Sequence, residues 1–302
     1  METRIASTFL KVAELGNVTK AAKQLGYSQT AVTAQIQQLE KQLGVPLFDR
    51  LGRGVQLTDA GKQFRSYAIQ LVNASEDADA FAVDRSDPVG NLVIEAGSSP
   101  AIGLLPKMLP RFHQQYPHIH LTLRVSEDTD ILIRRVRENT IDFAMFIDAR
   151  NQFDGCVKAA ERPEEYVFVA PSSDPITKKK QVTIPEIFDD LFVSSFISSD
   201  SEGDLRSVLD PYLQKNGYDL RPSIDVGTNA AIVNFLLQGW GRSFLPRFMV
   251  QDEIERGSLA LIHTAPVDAG MYTQVFYNSN RWINPQMQAF LDFIRSGVFT
   301  QY

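Results

Sequence analysis

The chain of 302 residues has little of what several functions require. It contains a single cysteine, Cys156, so an intramolecular disulfide is impossible, and a redox sensor would usually need a second, resolving thiol. No apolar stretch approaches the roughly 20 residues that span a bilayer. The start of the chain also lacks the basic and apolar segments of a signal peptide. We therefore expect a cytoplasmic protein without a membrane partner.

Catalytic and metal-binding patterns are missing as well. The histidines are His113, His118, His120 and His263. None of them has a carboxylate or a thiol beside it at the spacing of a metal site. The sequence has no phosphate-binding loop, no Gly-x-Ser-x-Gly elbow and no Cys–His nucleophile pair. It therefore predicts a protein that is not an enzyme and needs no metal or cofactor.

Two amphipathic helices are predicted between Val18 and Leu43. Gly26 favours the left-handed conformation that ends a helix, and Ser28 is well suited to cap the next one. The second helix has one apolar stripe with spacings of four, three and four residues, formed by Val32, Ile36, Leu39 and Leu43. Small polar residues occupy the opposite face. This is the plan of a helix-turn-helix, although a helical hairpin in an ordinary core would show the same pattern.

The segment that follows favours DNA binding. Residues 51–58 have the glycines and arginines of a two-stranded wing that reaches a phosphate backbone. Residues 1–70 carry nine Lys and Arg against five Asp and Glu, a net charge of +4, which leaves −10 for the rest of the chain. The positive charge thus lies where phosphate contacts require it.

The first sixty or so residues resemble the LysR-type transcriptional regulators. The matching positions are Phe9, Val12-Ala13-Glu14, Ala21-Ala22, Ser28-Gln29, Leu39-Glu40, Leu43-Gly44-Val45-Pro46-Leu47-Phe48, Arg50, Leu57-Thr58 and Gly61. The resemblance implies an α+β multidomain protein. Its parts are a winged helix-turn-helix DNA-binding domain (1–58), a long linker and dimerisation helix (59–87) and a two-lobed α/β effector-binding domain of periplasmic-binding-protein type (88–302). It also implies promoter binding on double-stranded DNA, with RNA polymerase as a further partner.

The residues expected to contact DNA lie on the second helix and the wing. Base contacts are expected from Gln29, Thr30, Thr33 and Gln37, and phosphate contacts from Arg50 and Arg53. Ser28, which caps the second helix, is also expected to contact DNA. Many family members have basic residues where this chain has Ala34, Gln37 and Gln38. Amide groups pair with adenine, and threonine methyl groups contact thymine. The sequence therefore predicts an AT-rich operator.

An apolar seam follows the wing between Asp59 and Arg85. Its members alternate at four and three residues: Ala60, Phe64, Tyr67, Leu71, Ala74, Ala78 and Phe81. Such a heptad seam predicts pairing with a second copy of the helix. The alternative is packing on its own DNA-binding domain, above all for Phe64. In the family this helix pairs with another chain, which implies a homodimer and a homotetramer built from two dimers. Paired domains then need half-sites about 34–36 Å apart.

The remainder alternates strands and helices. The order β-α-β-α-β between Leu92 and Ile147 predicts an open, mostly parallel sheet, and a second set begins at Tyr166. A closing strand and helix suggest a return to the first lobe. We expect lobe I at about 91–163 and 269–302 and lobe II at about 164–267. The crossovers are expected near Arg162–Glu165 and Pro266–Ala269.

Ligands of open α/β sheets bind beyond the carboxyl ends of the strands. The expected effector-binding residues are Ser98, Ser99, Thr129, Phe146, Ile147, Phe196, Ile197, Thr228 and Asn229. Three hydroxyl-bearing helix starts offer free N–H donors, which favours a small carboxylate as effector. Glu127, Asp128 or Asp148 would instead favour a cationic or neutral effector if they faced inward. Two alternatives remain: an acidic domain that binds a protein partner and no small molecule, and a purely structural DNA-bridging protein.

Overall fold

The computed structural model describes residues 2–51, 54–80, 88–188, 193–195, 213, 214, 217 and 224–301. The chain divides into two compact units. The first comprises Met1–Ser86, Glu138–Thr140 and Arg281–Pro285, and the second Asp87–Arg137, Ile141–Asn280 and Gln286–Tyr302. In the part of the chain so described, no helix is long and apolar enough to cross a membrane.

Three helices open the first unit. They are α1, Thr3–Leu15; α2, Val18–Leu25; and α3, Gln29–Leu43. Asn17 caps α2 by accepting a hydrogen bond from the Lys20 N–H at 3.0 Å. The Ser28 hydroxyl caps α3 by accepting one from the Ala31 N–H at 3.1 Å. Gly26 ends α2 with a φ of 70°, a left-handed value that favours glycine. The predicted helix pair, its turn and its caps are confirmed.

A hairpin and a long helix complete this unit. They are β1, Phe48–Leu51; β2, Gly54–Leu57; and α4, Asp59–Ala80. The two strands are antiparallel, with Phe48 opposite Leu57. The sequence predicted a wing that begins at Leu51, but its first strand begins earlier, at Phe48. The Glu40 carboxylate accepts hydrogen bonds from the N–H groups of Leu47 and Phe48, so the chain enters the strand soon after α3 ends.

Phe9 lies at the centre of the first unit's core. It is fully buried, and its ring centroid lies 5.2 Å from that of Phe48 and 5.1 Å from that of Phe64. The other buried members are Ile5, Ala6, Val12, Ala21, Ala22, Val32, Ile36, Leu39, Leu47 and Ala68. All four helices and the hairpin therefore share one core, which fixes the orientation of α3 against the wing.

The seam of α4 is divided between two environments. The members packed against the core of their own unit are Ala60, Phe64 and Leu71. The exposed members are Tyr67, Ala74 and Ala78, with Tyr67 66% exposed. The alternative to pairing with a second helix, which was packing on the helix's own domain, therefore holds for Ala60, Phe64 and Leu71. The predicted end of the helix, between Phe81 and Asp87, lies outside the described residues.

The second unit contains the remaining strands and helices. The strands are β3, Gly90–Ala96; β4, Ile119–Val125; β5, Phe143–Ala149; β6, Cys156–Pro163; β7, Tyr166–Pro171; β8, Val193–Ser195; β9, Ile224–Val226; β10, Ser243–Pro246; β11, Leu259–Leu261; and β12, Met271–Asn278. The helices are a π-helical turn, Pro100–Leu104; α5, Leu105–Gln115; α6, Thr129–Arg137; α7, Ile184–Phe188; α8, Asn229–Leu237; α9, Arg247–Glu255; and α10, Pro285–Arg295. Short 3-10 turns lie at Pro175–Lys178 and Val298–Thr300.

Two lobes arise because the chain changes sheet twice. Lobe I is a sheet of order β4-β3-β5-β12-β6, and lobe II has a sheet of order β10-β7-β11 and the pair β8-β9. The chain leaves lobe I between β6 and β7 and returns between β11 and β12, so the predicted closing strand lies in lobe I. The predicted crossover segments fall in these two connections.

The predicted parallel sheet is confirmed for the three strands between Leu92 and Ile147. In lobe I, β3 is parallel to β4 and β5, and the later strand β12 is antiparallel to both β5 and β6. In lobe II, β8 and β9 are parallel, but β10 and β11 both run antiparallel to β7. These antiparallel pairs were not predicted because an apolar run indicates a strand but not its direction.

Several elements were not predicted from the sequence: β6, β11 and α9. Strand β6 carries Lys158 and Glu161, which pair at 2.7 Å on a half-buried edge strand. These charged residues interrupt the alternation of apolar and polar residues that indicates a strand. The predicted helix at 201–216 lies outside the described residues apart from Leu213 and Gln214.

An ion pair between Asp174 and Arg242 organises lobe II. The two side chains, about a tenth exposed each, form a bidentate pair with N–O distances of 2.7 and 3.2 Å. The guanidinium also donates to the carbonyls of Glu186 and Ile187, which ties α7 to the sheet. Burial by itself raises the pKa of Asp174, but hydrogen bonds from Arg242 and from the Ile176 N–H outweigh it and hold that pKa below its usual value.

Replacing Asp174 tests this pair. Asp174→Asn leaves Arg242 buried without its counter-charge, so we expect the free energy of unfolding at neutral pH to fall by about 3 kcal/mol. A carboxyl with a depressed folded-state pKa stabilises fully above its unfolded pKa of about 3.9 and loses that effect as pH falls. The variant should therefore show a shallower loss of stability between about pH 5 and pH 2 in urea unfolding.

The exposed pair Glu165–Arg247 supplies the control. Its N–O distance is 2.6 Å, and Glu165 is 63% exposed. Glu165→Gln should change stability by no more than about 1 kcal/mol. Equal losses for the two variants would show that the buried pair does not organise the lobe.

Candidate functional site

The outer face of α3 is polar and accessible. Ser28, Gln29, Thr30 and Gln37 are exposed, and Thr33 is half-buried beside them. The residues on the opposite face, Val32, Ile36 and Leu39, are buried in the core. Because these apolar residues anchor the helix, its polar face is held on the outside of the unit.

A groove separates this face from the wing. It has a volume of about 400 Å³ and is lined by Val12, Val18, Gln29, Thr33, Ile36, Gln37, Glu40, Phe48, Gly54 and Val55. The wing is fixed to α1 because the Val55 N–H donates to the Gly16 carbonyl at 2.9 Å. The structure thus brings Gln29, Thr33 and Gln37 together along one wall of a concave, polar surface.

Local hydrogen bonds decide which of these groups remain available. The Thr33 hydroxyl donates to the Gln29 carbonyl at 2.9 Å, so this hydroxyl is used within the helix. The Ser28 and Thr30 hydroxyls lie 2.9 Å apart and pair with each other. Within the described part of the chain, the amides of Gln29 and Gln37 make no hydrogen bond. They are the free polar groups of this surface.

The predicted phosphate contacts have no described side chains. Arg50 lies in β1, but only its backbone is described, and Arg53 lies outside the described residues. Their roles stay predictions from the sequence.

A second candidate site lies between the two lobes of the second unit, called the regulatory unit below. This cavity of about 50 Å³ is lined by Gly97, Ser98, Ser99, Pro100, Ser126, Glu127, Thr129, Leu132, Phe146, Ile147, Tyr166 and Asn229. The lining comes from the carboxyl ends of β3, β4 and β5 and from the start of α8. The structure thus gathers six of the predicted effector residues: Ser98, Ser99, Thr129, Phe146, Ile147 and Asn229.

Ser99 connects the lobes. Its hydroxyl accepts a hydrogen bond from the Asn229 amide Nδ2 at 2.9 Å, which joins lobe I to lobe II across the cavity. The sequence predicted a hydroxyl that opens a helix. The structure confirms that Ser98 and Ser99 open a helix, but the Ser99 side chain does not cap it. The hydroxyl is therefore directed across the cavity to the other lobe.

The Glu127 carboxylate is bonded to the backbone N–H of Ser98, where the first helix of the second unit begins. Its carboxylate accepts hydrogen bonds from the Ser98 N–H at 3.2 and 3.4 Å. The carboxylate prediction for the effector depended on such a donor being free. Of the other two acids, Asp128 caps α6 by accepting from the Ile131 N–H at 2.9 Å, and Asp148 accepts from the Ala149 N–H at 2.7 Å. Neither lines the cavity.

Three predicted effector residues are not part of the cavity as described. The Thr228 hydroxyl accepts from the Ala231 N–H at 3.2 Å and caps α8, so it serves the helix. Phe196 and Ile197 lie outside the described residues. Conversely, Tyr166, which lines the cavity and is 8% exposed, was not predicted. Its position just after the crossover at Glu165 is the signal that could have found it.

A buried network stands at the first crossover. The Arg162 guanidinium pairs with the Glu164 carboxylate at 2.7 and 3.2 Å and donates to the Phe299 carbonyl at 3.1 Å. Thr273, in the returning strand β12, donates to the same carboxylate. The guanidinium also lies 5.3 Å from the ring centroid of Phe248 in lobe II. This network holds the outgoing and returning chains together where the lobes join.

The Cys156 thiol and the possible metal ligands are the groups that bear on redox and metal chemistry. Burial raises the pKa of the Cys156 thiol, and the neighbouring Arg137 only partly offsets this, so the unreactive protonated form is favoured. Among the described residues, no three His, Cys, Asp or Glu side chains are grouped as metal ligands.

Both units match models of protein families. Residues 4–62 match the bacterial regulatory helix-turn-helix protein, lysR family, and residues 85–298 match the LysR substrate binding domain.

The sequences of individual relatives align with nearly the whole chain. The uncharacterized HTH-type transcriptional regulator YwqM of Bacillus subtilis is 27% identical, over 98% of this chain and 99% of its own length. A probable RuBisCO transcriptional regulator of Synechocystis sp. is 30% identical, over 93% of this chain and 81% of its own.

Solved structures show the same fold. Full-length CbnR complexed with its target DNA superposes with a TM-score of 0.70 at 22% identity and covers 98% of this chain and 99% of its own. Full-length BenM gives a TM-score of 0.55 at 20% identity and covers 100% of this chain and 98% of its own.

The winged helix-turn-helix, the long helix and the two α/β lobes define a transcriptional regulator that binds DNA and has a domain for small-molecule effectors. The protein belongs to the LysR family of transcriptional regulators. It is not an enzyme, and the match to a substrate-binding domain does not favour a regulatory domain that binds only a protein partner.

Gly103 allows the lobes to meet closely. A Cβ added at this glycine of the π-helical turn would lie 2.6 Å from the Met249 sulfur and 2.8 Å from the Phe248 ring. We expect Gly103→Ala to force the turn away from α9 and to lower the free energy of unfolding by about 1–3 kcal/mol, measured in urea. Gly227→Ala is the control, since nothing lies within 4 Å of its added Cβ. Equal stability of both variants would contradict close packing of the lobes.

Proposed function

We propose that the groove between α3 and the wing reads an AT-rich operator. The observation that carries this assignment is the pair of free amides, Gln29 and Gln37, on the wall of the groove. An amide side chain makes two hydrogen bonds to the edge of adenine in the major groove. The methyl groups of Thr30 and Thr33 suit thymine, and Ser28, which caps the helix, suits a phosphate. Arg50 and Arg53 of the wing complete the proposed backbone contacts.

Removing one amide tests the base-reading role. Gln37→Ala should cost about 1–3 kcal/mol of binding free energy on the natural operator and relax preference at one adenine. Binding to a set of operators changed one base at a time measures this. Gln42→Ala is the control, because Gln42 is exposed on α3 but does not line the groove. Arg53→Ala should weaken binding to all sequences alike. A uniform loss for Gln37→Ala would remove it from base recognition.

The interlobe cavity is the proposed effector site. The Asn229–Ser99 hydrogen bond supports this, since it is made by groups that a ligand in the cavity would touch. A ligand that replaces or strengthens that bond changes the free energy of one lobe arrangement relative to another. The two lobes are joined by two connections, so a change of angle is the expected response. The linker helices then transmit it to the spacing of the DNA-binding domains.

The Ser99 hydroxyl gives a direct test. We expect Ser99→Ala to weaken the effector response at least tenfold while operator affinity without effector stays unchanged, because Ser99 belongs to the unit that does not hold α3. Thr122→Ala removes a hydroxyl of the same lobe at β4, outside the cavity lining, and should leave the response intact. Operator binding titrated with effector measures both. A normal response in a folded Ser99→Ala protein would show that the effector binds elsewhere.

We also propose a homodimer through α4, assembled further into a homotetramer. The exposed stripe of Tyr67, Ala74 and Ala78 supports this, because a heptad face without a partner in its own domain is suited to a second helix. A dimer places two DNA-binding domains on half-sites of a roughly palindromic operator. RNA polymerase is the proposed downstream partner, and the cytoplasm is the proposed location, where the operator is accessible.

A further inference from the structure

The polar groups around the interlobe cavity favour one kind of ligand. Of the twelve lining residues, one carries a formal charge, and it is the acid Glu127. Within this described lining there is no Lys, Arg or His. An anionic ligand would therefore meet like charge and no counter-charge in the described lining of this cavity, which is unfavourable where water is excluded.

The position of the Glu127 carboxylate also disfavours an anionic ligand. A helix start binds anions through its free N–H groups, and the Ser98 N–H is one such donor at the first helix of the regulatory unit. That donor is already bonded to Glu127, at 3.2 and 3.4 Å. To use it, a ligand carboxylate would have to displace a carboxylate of the protein itself. A cationic ligand, in contrast, finds the Glu127 oxygens held in place as acceptors.

Asn229 gives an independent indication. Its Nδ2 donates to Ser99, while its Oδ1 is shielded from solvent and has no hydrogen-bond partner within the described residues. A buried acceptor without a partner is costly, and a donor placed beside it removes that cost. An N–H group of a ligand in the cavity is such a donor. Glu127 and Asn229, each with a carboxylate or amide oxygen, thus line the same cavity from the two lobes.

We propose that the effector of this regulator is a small cationic amine whose ammonium group lies in the interlobe cavity and bonds Glu127 in lobe I and Asn229 in lobe II. The proposal rests on the effector role of this cavity and names its ligand class. A volume of about 50 Å³ accommodates a headgroup of few heavy atoms, so a primary ammonium fits better than a bulky cation. By bonding one acceptor from each lobe, the amine holds the lobes together.

Matched probes of one carbon skeleton test the charge preference. Butylammonium chloride, sodium butyrate and 1-butanol are titrated into the full-length protein at constant ionic strength, and thermal unfolding is followed. We expect a saturable rise in Tm with the amine and none with the acid or the alcohol. In Glu127→Gln the Kd of the amine should weaken by about ten- to a hundredfold, the usual contribution of a charge-assisted hydrogen bond.

Two further variants make the result specific. Asp128→Asn removes the neighbouring charge but keeps a good helix cap, so amine binding should stay within about twofold of wild type. Asn229→Asp adds a second acidic group to the cavity and should tighten amine binding, which tests the proposal even if Glu127→Gln does not fold.

The outcomes separate the two levels of the argument. Stabilisation by butyrate but not by the amine would overturn the cationic effector and keep the cavity as effector site. Equal stabilisation by amine and alcohol would also overturn it, because charge would then play no part. If no probe raised Tm, the cationic effector would be overturned, and a wild-type effector response in Ser99→Ala would remove the effector role of the cavity as well.

Discussion

The architecture of the regulatory unit depends on the chain crossing between its lobes twice. Strand β12 returns to lobe I and pairs with both β5 and β6, so neither lobe is a continuous piece of chain. At the crossing, Glu164 receives hydrogen bonds from Arg162 and Thr273, and burial strengthens this network. Rotation of one lobe against the other is therefore limited to a motion about two short connections. Under the proposed function, a change of angle between the lobes is therefore the expected response to a small ligand between them.

Charge is unevenly divided along the chain. The net charge is +4 in residues 1–70 and −10 elsewhere, which favours phosphate contacts by the DNA-binding unit and disfavours them for the regulatory unit. In the interlobe cavity, Glu127 is the charged residue of the described lining. Helix α3 has no arginine and presents amides. Under the proposed function, specificity therefore comes from amide and methyl contacts, and affinity from the wing and from duplication of the domain.

Local patterns made much of the fold predictable. The Gly26 turn and the Ser28 cap follow from rules that involve only neighbouring residues, and both are present. The β-α-β-α-β order predicted the parallel strands β3, β4 and β5. The antiparallel strands of lobe II were not predictable, because the pairing of β7 with β10 and β11 joins segments far apart in sequence. The edge strand β6 was missed, since ion pairs such as Lys158–Glu161 disguise it.

The candidate site was predictable to a similar degree. The rule that ligands bind beyond strand ends located Ser99 and Asn229, but not the bond between them, which depends on how the lobes meet. The contact between Glu127 and the Ser98 N–H was equally hidden, because it joins two strand ends that are 29 positions apart.

One measurement tests the central claim that occupancy of the interlobe cavity alters DNA contacts. Footprints of the full-length protein are taken on the DNA upstream of its own gene, with and without a ligand that saturates the cavity. The account predicts a change in the length of the protected region or in its hypersensitive positions, with the half-site contacts of α3 retained. An identical footprint at saturation would contradict it.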